Sequence, residues 1–338
     1  MSPRTEPWSS STLPERVSVV IPTWNGRELL AAALASLREQ RFRGFEVVVV
    51  DNGSTDGTLE WVRADHPEAE LVVLGENRGF AGAVNAGIGH ARGEFVALLN
   101  NDMELDPGWL AELVAALDAH PDAGSAASKL RMLRDPGLLD GAGDVVTWYG
   151  ATWRRGHGEP DRGQYDEPGV IASPCAGAAL YRRRALEAVG SFDERFFAYL
   201  EDADWGLRAQ LAGWPCRWVP TAVAYHLGGA TSRRMGDLET ELIARNTPAL
   251  VLKSFPAGRL VSWAPLIVGY QAWVLGQAVR RGSWRAVLRG WSAALRGLPA
   301  TLRARSEVRR RTREPRALAG VVTGRIVRRS KANGNRAG

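Results

Sequence analysis

The chain has 338 residues, 45% apolar and 24% charged, which supports a sizeable globular core and excludes a disordered or fibrous protein. The formal charge of +6 is unevenly divided: residues 280–338 hold 17 Lys and Arg against two acids, a net of +15, which leaves −9 for residues 1–279. The two cysteines form no CxxC motif and the polar start shows no secretory leader, so a reduced cytoplasmic setting is expected.

Three apolar runs in the first third of the chain end abruptly in polar residues. Residues 17–21 are followed by Pro-Thr-Trp-Asn, residues 45–50 by Asp-Asn-Gly-Ser, and the run that ends at Leu99 by Asn-Asn-Asp. Helix-spaced apolar residues occur with these runs at 28–38, 58–63 and 84–91. The alternation predicts parallel βαβ units whose strands bring their polar ends to one sheet edge, the usual ligand crevice of an α/β fold.

Residues at this edge have the chemistry to bind a nucleotide. Asp51 can accept hydrogen bonds from a pyrimidine N–H or a ribose hydroxyl, and Trp24 can flank the base; an Asx turn and a core edge are the alternatives. Arg78 lies in a Gly-rich turn, where its guanidinium can bridge phosphate oxygens. Because the turn does not match GxGxxG, a nicotinamide dehydrogenase is disfavoured.

A divalent cation is expected beside the third run. Asp102 is the first candidate ligand, since Mg²⁺ and Mn²⁺ bind carboxylate oxygen and share their other positions with diphosphate and water. Glu104 is a weaker candidate that can equally point outward, and Asn101 can hydrogen-bond the ribose. His226, at the end of the apolar run 218–223, is either structural or a further ligand.

An acidic sequence, Glu201-Asp202-Ala203-Asp204, opens a helix-like stretch at 205–211. Acids in a first turn are ordinary partners of the helix dipole. Alternatively, one of these carboxylates removes the proton from an attacking hydroxyl group. The sequence shows neither a GxSxG elbow nor a Cys/His arrangement, so a covalent nucleophile is not indicated.

The C-terminal region combines an uncharged segment with a basic one. Residues 260–279 approach the length of a membrane span, but their Pro, Gly and Gln residues favour an interfacial or re-entrant segment. Residues 284–298 predict an amphipathic helix with Trp and Leu on one face and Arg on another, which favours an anionic membrane surface. A surface helix packed on the rest of the protein is the main alternative. Nucleic-acid binding is not expected, because phosphate contacts would use the arginines but not the apolar face of the helix.

Five segments resemble motifs of the family 2 glycosyltransferases, in order and spacing, over about residues 17 to 230. They are residues 19–26, 50–57, 77–85, 100–102 and 192–204. The resemblance implies the α/β GT-A fold, a Rossmann-like mixed but mainly parallel sheet flanked by helices. We predict disordered tails at 1–16 and 330–338, a GT-A domain at 17–235 and a helical, basic membrane-associating region at 236–329.

The resemblance also implies roles for single residues. Asp202 would be the general base, with Glu201 and Asp204 holding the donor sugar or the acceptor, and Gly177 would lie in a turn beside the sugar pocket. His226 would serve the metal or the diphosphate. Where many relatives carry Asp-x-Asp or Asp-Asp, this chain has Asn100-Asn101-Asp102, one carboxylate fewer. The residues that would line the donor nucleotide pocket are Pro22, Trp24, Asp51, Arg78, Asn85 and Asn101.

The implied reaction is a metal-assisted single displacement with inversion at the anomeric carbon. The donor is a nucleoside-diphosphate sugar, and the acceptor is a hydroxyl of a polysaccharide or a lipid-linked precursor, at the inner face of the cell membrane. Rhamnose is the favoured sugar, and another hexose is the alternative. The alternatives are a nucleotidyltransferase, a processive polysaccharide synthase, and an idle protein that only binds a nucleotide or a partner.

Overall fold

The computed structural model describes residues 15–228 and 236–324. The tail predictions for residues 1–14 and 330–338 lie outside these ranges. The helices are α1 (Arg27–Arg38), α2 (Thr58–Asp65), α3 (Gly79–His90), α4 (Trp109–Ala119), α5 (Arg183–Val189), α6 (Glu201–Leu211), α7 (Asp237–Ser254), α8 (Ala257–Arg280), α9 (Trp284–Arg296), α10 (Leu298–Arg311) and α11 (Leu318–Val321), with a short 3₁₀ helix at Glu194–Phe196.

The strands alternate with the first helices and then form a long insert. They are β1 (Val17–Thr23), β2 (Phe45–Asp51), β3 (Glu70–Val73), β4 (Phe95–Leu99), β5 (Met103–Leu105), β6 (Ser125–Met132), β7 (Asp135–Gly141), β8 (Asp144–Thr147), β9 (Thr152–Arg154), β10 (Gly169–Ile171), β11 (Ala178–Arg182), β12 (Cys216–His226) and β13 (Val322–Thr323).

The main sheet has a parallel core with a mixed extension. Its strand order is β10-β12-β6-β11-β4-β1-β2-β3, and β5 and β7 pair with β12 and β6. The ladders β3-β2-β1-β4 are parallel, whereas β11 runs antiparallel to β4 and β6. This is the predicted mixed α/β sheet, mainly parallel at its centre and flanked by helices.

The central strands are apolar throughout because helices cover both faces of the sheet. From β1, Val17, Val19 and Ile21 pack with α1 and α4, while Val20 packs on the other face with α3. Parallel sheets buried on both sides require such continuous apolar runs. The parallel ladders place the carboxyl ends of β1, β2 and β4 at one edge, where the polar residues lie.

The C-terminal region packs on the rest of the protein. Side chains from α6, α7, α8, α10 and α11 form one apolar cluster, so the predicted boundary between residues 235 and 236 is crossed by a common core. A second sheet, β13-β8-β9, joins the last described strand to the insert, with β13 parallel to β8.

The predicted interfacial segment is the long helix α8, and the predicted amphipathic helix is α9. Within residues 15–228 and 236–324, no helix is both long enough and apolar enough to cross a membrane. The apolar residues of α9 face two ways. Val287 and Gly290 pack towards α7, whereas Leu288 and Leu295 are 42% and 71% exposed.

Candidate active site

The loops after β1, β2 and β4 are linked by side-chain hydrogen bonds. The Thr55 N–H donates to Asn25 Oδ1 at 2.7 Å, and Asn101 Nδ2 donates to Thr23 Oγ1 at 2.9 Å. The Asp51 carboxylate is 2% exposed and accepts from the Ser54 N–H at 3.3 Å, so the residue also forms an Asx-type turn. Pro22 and Trp24 are half-buried at this edge. The three loops are therefore held together before any ligand binds.

The turn before α3 is held by a residue that the sequence did not single out. Asn52 is buried; its Oδ1 accepts from the Arg78 N–H at 2.8 Å, and its Nδ2 donates to Asn77 Oδ1 and to the Gly79 carbonyl, both at 3.1 Å. The Arg78 side chain remains 53% exposed. The guanidinium is thus presented from a fixed backbone, as phosphate binding requires.

Asn85 has a different environment from the one predicted. Its Nδ2 donates to the Phe192 carbonyl at 2.8 Å and to Glu194 Oε1 at 2.9 Å, and its Oδ1 accepts from the Phe192 N–H at 3.0 Å. These bonds engage both ends of the amide. Asn85 therefore has a structural role, because it attaches α3 to the segment before α6.

Asp102 and His226 face each other across the ends of β5 and β12. Asp102 Oδ2 lies 3.3 Å from His226 Nε2, and both side chains are less than a tenth exposed. The other ring nitrogen, Nδ1, lies 2.9 Å from Asp140 Oδ2 on β7, which also pairs with Arg154. Burial lowers the pKa of His226, but hydrogen bonds to Asp102 and Asp140 outweigh it and raise the pKa to about 9.

This pair can hold a divalent cation that displaces the proton from His226 Nε2 and takes its remaining positions from a ligand. A carboxylate oxygen and an imidazole nitrogen are suitable donors, and a carboxylate on the second ring nitrogen is the usual means of orienting a metal-binding histidine. The described ranges contain no group of three or more acidic, His or Cys side chains that would hold a metal alone. Glu104 lies between the buried Met103 and Leu105 on β5 and belongs to no such group among the described residues.

Asp202 lies in the first turn of α6 and is tied to the same crevice through a glycine turn. Its Oδ2 accepts from the Ala176 N–H at 3.2 Å and its Oδ1 from the Ala203 N–H at 2.8 Å. The Gly177 carbonyl accepts from the Asn100 N–H at 2.7 Å, and a Cβ at Gly177 would lie 2.6 Å from Met103 Cε. The turn at residues 100–102 and the acidic start of α6 are therefore neighbours, and a side chain at position 177 would require Met103 to move.

Further acids lie close to Asp202. Burial followed by repulsion from Asp202 raises the pKa of Asp144 to about 8 and that of Glu201 well above its usual range, while Asp144 accepts from Ser173 Oγ at 2.9 Å. Among the described residues, Glu201 Oε2 has no hydrogen-bond partner although it is buried. An acceptor placed in this way suits a sugar hydroxyl.

Asp204 is enclosed instead of facing the crevice. It is fully buried, with Arg208 Nε at 2.8 Å and Lys253 Nζ at 2.9 Å from its Oδ2. Alternation around α6 explains the difference, because residues 202 and 204 lie on opposite sides of a helix. The expected contact of Asp204 with donor sugar or acceptor is therefore not supported, and its carboxylate joins α6 to α7.

Sequence reasoning missed Asp140, Asp144 and Arg154, which all come from the insert between β6 and β10. Asp140 and Asp144 flank Gly141-Ala142-Gly143, and this pair of acids around a tight turn was a usable signal. No local sequence signal marks Arg154, because its position depends on the pairing of β9 with β8.

Comparison with known proteins shows which family this chain is similar to. The model for "Glycosyl transferase family 2" matches residues 18–190. The N-acetylglucosaminyl-diphospho-decaprenol L-rhamnosyltransferase of Mycobacterium tuberculosis is 31% identical over 275 residues, covering 73% of this chain and 87% of that protein.

Two solved structures share the fold. The mannosyltransferase PcManGT from Pyrobaculum calidifontis, in complex with GDP-Man and Mn²⁺, has a TM-score of 0.52 at 20% identity, covering 90% of this chain and 89% of that one. GalNAc-T7 with UDP, GalNAc and Mn²⁺ has a TM-score of 0.54 at 16% identity, covering 70% and 50%.

Proposed function

Because the chain belongs to the family 2 glycosyltransferases, we propose that it transfers a sugar, with inversion, from a nucleoside-diphosphate sugar to a hydroxyl of a lipid-linked or polysaccharide precursor. The observation that carries the proposal is the crevice itself. Its strand-end residues, the Asp102–His226 pair and Asp202 lie on neighbouring turns that are linked by hydrogen bonds. Rhamnose is the first candidate sugar, supported by the named activity of the mycobacterial relative.

In this proposal Asp202 is the general base. Burial raises the pKa of Asp202, which makes it a stronger proton acceptor than an exposed aspartate, and two backbone N–H groups fix its orientation. The acceptor oxygen attacks the anomeric carbon while the bond from that carbon to the diphosphate oxygen breaks. The hydroxyl proton passes to Asp202, and Glu201 accepts a hydrogen bond from a sugar hydroxyl.

The donor nucleotide lies at the ends of β1, β2 and β4. Asp51 and Asn101 bind the base and ribose, and Arg78 binds the diphosphate. Asp102 and His226 hold a divalent cation, which when bound supplies positive charge for the departing diphosphate. An imidazole ligand favours Mn²⁺ over Mg²⁺, since Mg²⁺ prefers oxygen.

The family match counts against the alternatives of a nucleotidyltransferase and an idle binding protein. The test measures binding and turnover of dTDP-, UDP- and GDP-sugars with Mn²⁺ or Mg²⁺, using Asp202→Asn, Asp102→Ala and the control Glu104→Gln. We expect Asp202→Asn to bind donor but lose turnover by roughly 100-fold or more, Asp102→Ala to weaken metal-dependent binding, and Glu104→Gln to resemble the wild type. Failure of every sugar nucleotide to bind would overturn the proposal.

We further propose that α8 and α9 rest on an anionic lipid surface at the cytoplasmic face of the cell membrane, so that residues 236–329 bring the domain at 17–235 to a lipid-linked acceptor. Residues 257–311 contain eleven arginines and a single acid, Glu307. Val268, Trp273 and Leu295 on these helices are 68%, 51% and 71% exposed. Exposed apolar residues beside many cations suit an anionic lipid surface.

Vesicle sedimentation tests this surface. Leu295→Glu should reduce binding to vesicles containing anionic lipid, whereas Val73→Glu, which adds the same charge at a 44% exposed valine on β3, should not. Equal binding of both variants and the wild type, or equal binding to neutral and anionic vesicles, would contradict the proposed docking surface.

A further inference from the structure

The backbone just before the proposed base is held in an unfavourable conformation. Phe197, Tyr199 and Leu200 have φ values of 62°, 68° and 69°, in the left-handed region that side chains other than glycine seldom occupy. Leu200 directly precedes α6, so these residues set the direction in which Glu201 and Asp202 emerge. Such strain persists only where surrounding contacts enforce it.

One buried side chain makes three hydrogen bonds to the strained segment. Asn246 on α7 is 2% exposed, and its Nδ2 lies 3.0, 2.9 and 2.7 Å from the carbonyl oxygens of Phe196, Ala198 and Tyr199. Arg245 Nε donates to Asn246 Oδ1 at 3.0 Å, which fixes the orientation of the amide. One donor group, the Asn246 amide, therefore binds three carbonyl oxygens within the four residues 196–199.

The other side of the segment touches the turn proposed to bind the diphosphate. The Phe197 carbonyl accepts from the Ala81 N–H at 3.1 Å, and a Cβ added at Gly79 would lie 2.4 Å from that oxygen. The strained segment thus lies between the donor turn and α7. Its position fixes the distance between donor and base.

A second contact from the same helix holds the flanks of this segment. Lys253, two helical turns after Asn246, lies 2.6 Å from Asp193 Oδ2 and 2.9 Å from Asp204 Oδ2. Helix α7 therefore binds the segment at its middle through Asn246 and at both ends through Lys253.

From this geometry we propose that Asn246 is a positioning residue for the transfer reaction, acting through residues 196–200 to hold Asp202 in register with the donor turn. The inference rests on the proposed function for its kinetic part only. The Asn246 amide is engaged by Arg245 and by the carbonyls of residues 196, 198 and 199. We therefore expect its loss to leave donor affinity intact and to reduce turnover.

The test compares Asn246→Ala and the isosteric Asn246→Asp, which removes the donor group without leaving a cavity, with Thr247→Val as control. Thr247 donates only to the Ile243 carbonyl of its own helix. We expect both Asn246 variants to lose roughly ten- to a hundredfold in kcat, to keep the donor Kd within about threefold, and to exchange the amide hydrogens of residues 197–203 faster. Thr247→Val should show none of these changes.

A double-mutant cycle separates positioning from general stability. Leu200→Gly removes the left-handed penalty at one position, so Asn246→Ala should cost less kcat in the Leu200→Gly background than in the wild type. Equal costs in the two backgrounds, or kcat of Asn246→Ala within about twofold of wild type, would overturn the proposal. If the wild type transfers no sugar, the proposed function fails separately; unchanged amide exchange in Asn246→Ala then overturns the positioning role by itself.

Discussion

Gly79 shows how one residue without a side chain allows the turn proposed to bind the diphosphate to contact the strained segment at 196–200. Its φ is +72°, and an added Cβ would meet both the carbonyl and the ring of Phe197. We expect Gly79→Ala to lower the free energy of unfolding by about 2–4 kcal/mol, through backbone strain plus overlap, and to weaken donor binding.

Gly75 offers the matched control for this substitution. It has a similar φ of +74°, but a Cβ there would meet nothing within 4 Å. Gly75→Ala should therefore cost only about 1–2 kcal/mol. Chemical unfolding and donor titration measure both effects, and equal losses in the two variants would show that contact with Phe197 is unimportant.

Asp144 should make stability depend on pH. Burial and the charge of Asp202 raise the pKa of Asp144 to about 8. Between about pH 4 and pH 8 the folded protein therefore holds a proton on Asp144 that the unfolded chain has lost. The contribution of this group to stability falls as the pH rises through that range. We expect Asp144→Asn to abolish the fall, gaining up to about 1.4 kcal/mol per pH unit relative to wild type.

Urea unfolding at pH 5 and pH 8 tests this expectation. The exposed Asp135 on β7 gives the control Asp135→Asn, which should change little between the two values. A stability difference between Asp144→Asn and wild type that is the same at both pH values would contradict the assignment of a raised pKa to Asp144.

Two candidate site residues that the sequence places at the sheet edge share one property: each lies at or within three residues of the end of a buried strand, β2 for Asp51 and β4 for Asp102. Asp51 and Asp102 are located by local pattern alone, because a strand end determines where they lie. Asp140 and Arg154 reach His226 only through long-range strand pairing, which leaves no local mark. Asn85 and Asp204 were given binding roles because resemblance cannot show that their polar atoms already have partners.

At the scale of elements, Arg305 on α10 fastens the end of α7. It is 9% exposed, and its Nη1 donates to the carbonyls of Leu252 and Phe255, the latter at 2.7 Å. These carbonyls end a helix and need a donor. Arg305→Met should cost about 1–3 kcal/mol of unfolding free energy, whereas Arg303→Met, at an exposed position of α10, should cost little.

Thermal and urea unfolding of the two variants provide the comparison. A similar stability for both would mean that water satisfies the two carbonyls as well as the guanidinium does. Reduced stability of Arg305→Met alone would support α10 as a clamp on α7.

Element boundaries were predicted best where intrinsic propensity and packing agree. Helix α1 ends at Arg38 as predicted, but α3 starts at Gly79, five residues before the predicted 84. Glycine-rich sequence argues against a helix, and the tertiary contact overrides it: a Cβ at Gly87 would lie 2.3 Å from Val20 Cγ1, so glycine allows α3 to approach β1 closely.

At the scale of the whole molecule, helix α6, which carries the proposed base, shares a core and an ion pair with the C-terminal helices. A chain that ends at residue 235 loses Lys253, so Asp204 would keep a buried charge with one partner fewer, at a cost of about 3–5 kcal/mol for that pair alone. It would also expose the apolar cluster shared with α6. We expect this truncated chain to aggregate or to unfold without cooperativity.

A chain that ends at residue 324 keeps every described element and is the appropriate control. Circular dichroism with urea unfolding distinguishes the two chains. A sharp unfolding transition of native-like free energy in the shorter chain would show that the region at 17–235 is independent after all.

The parallel pairing of β13 with β8 has a consequence for synthesis. Val322 pairs with Val146, so about half of the chain must be translated between the two partners. At roughly 5–20 residues per second, that interval lasts on the order of 10 to 35 seconds. During it β8, the strand that carries Asp144, pairs with β9 but lacks its second neighbour, β13. The surroundings of Asp144, next to the proposed base, are therefore completed late in synthesis.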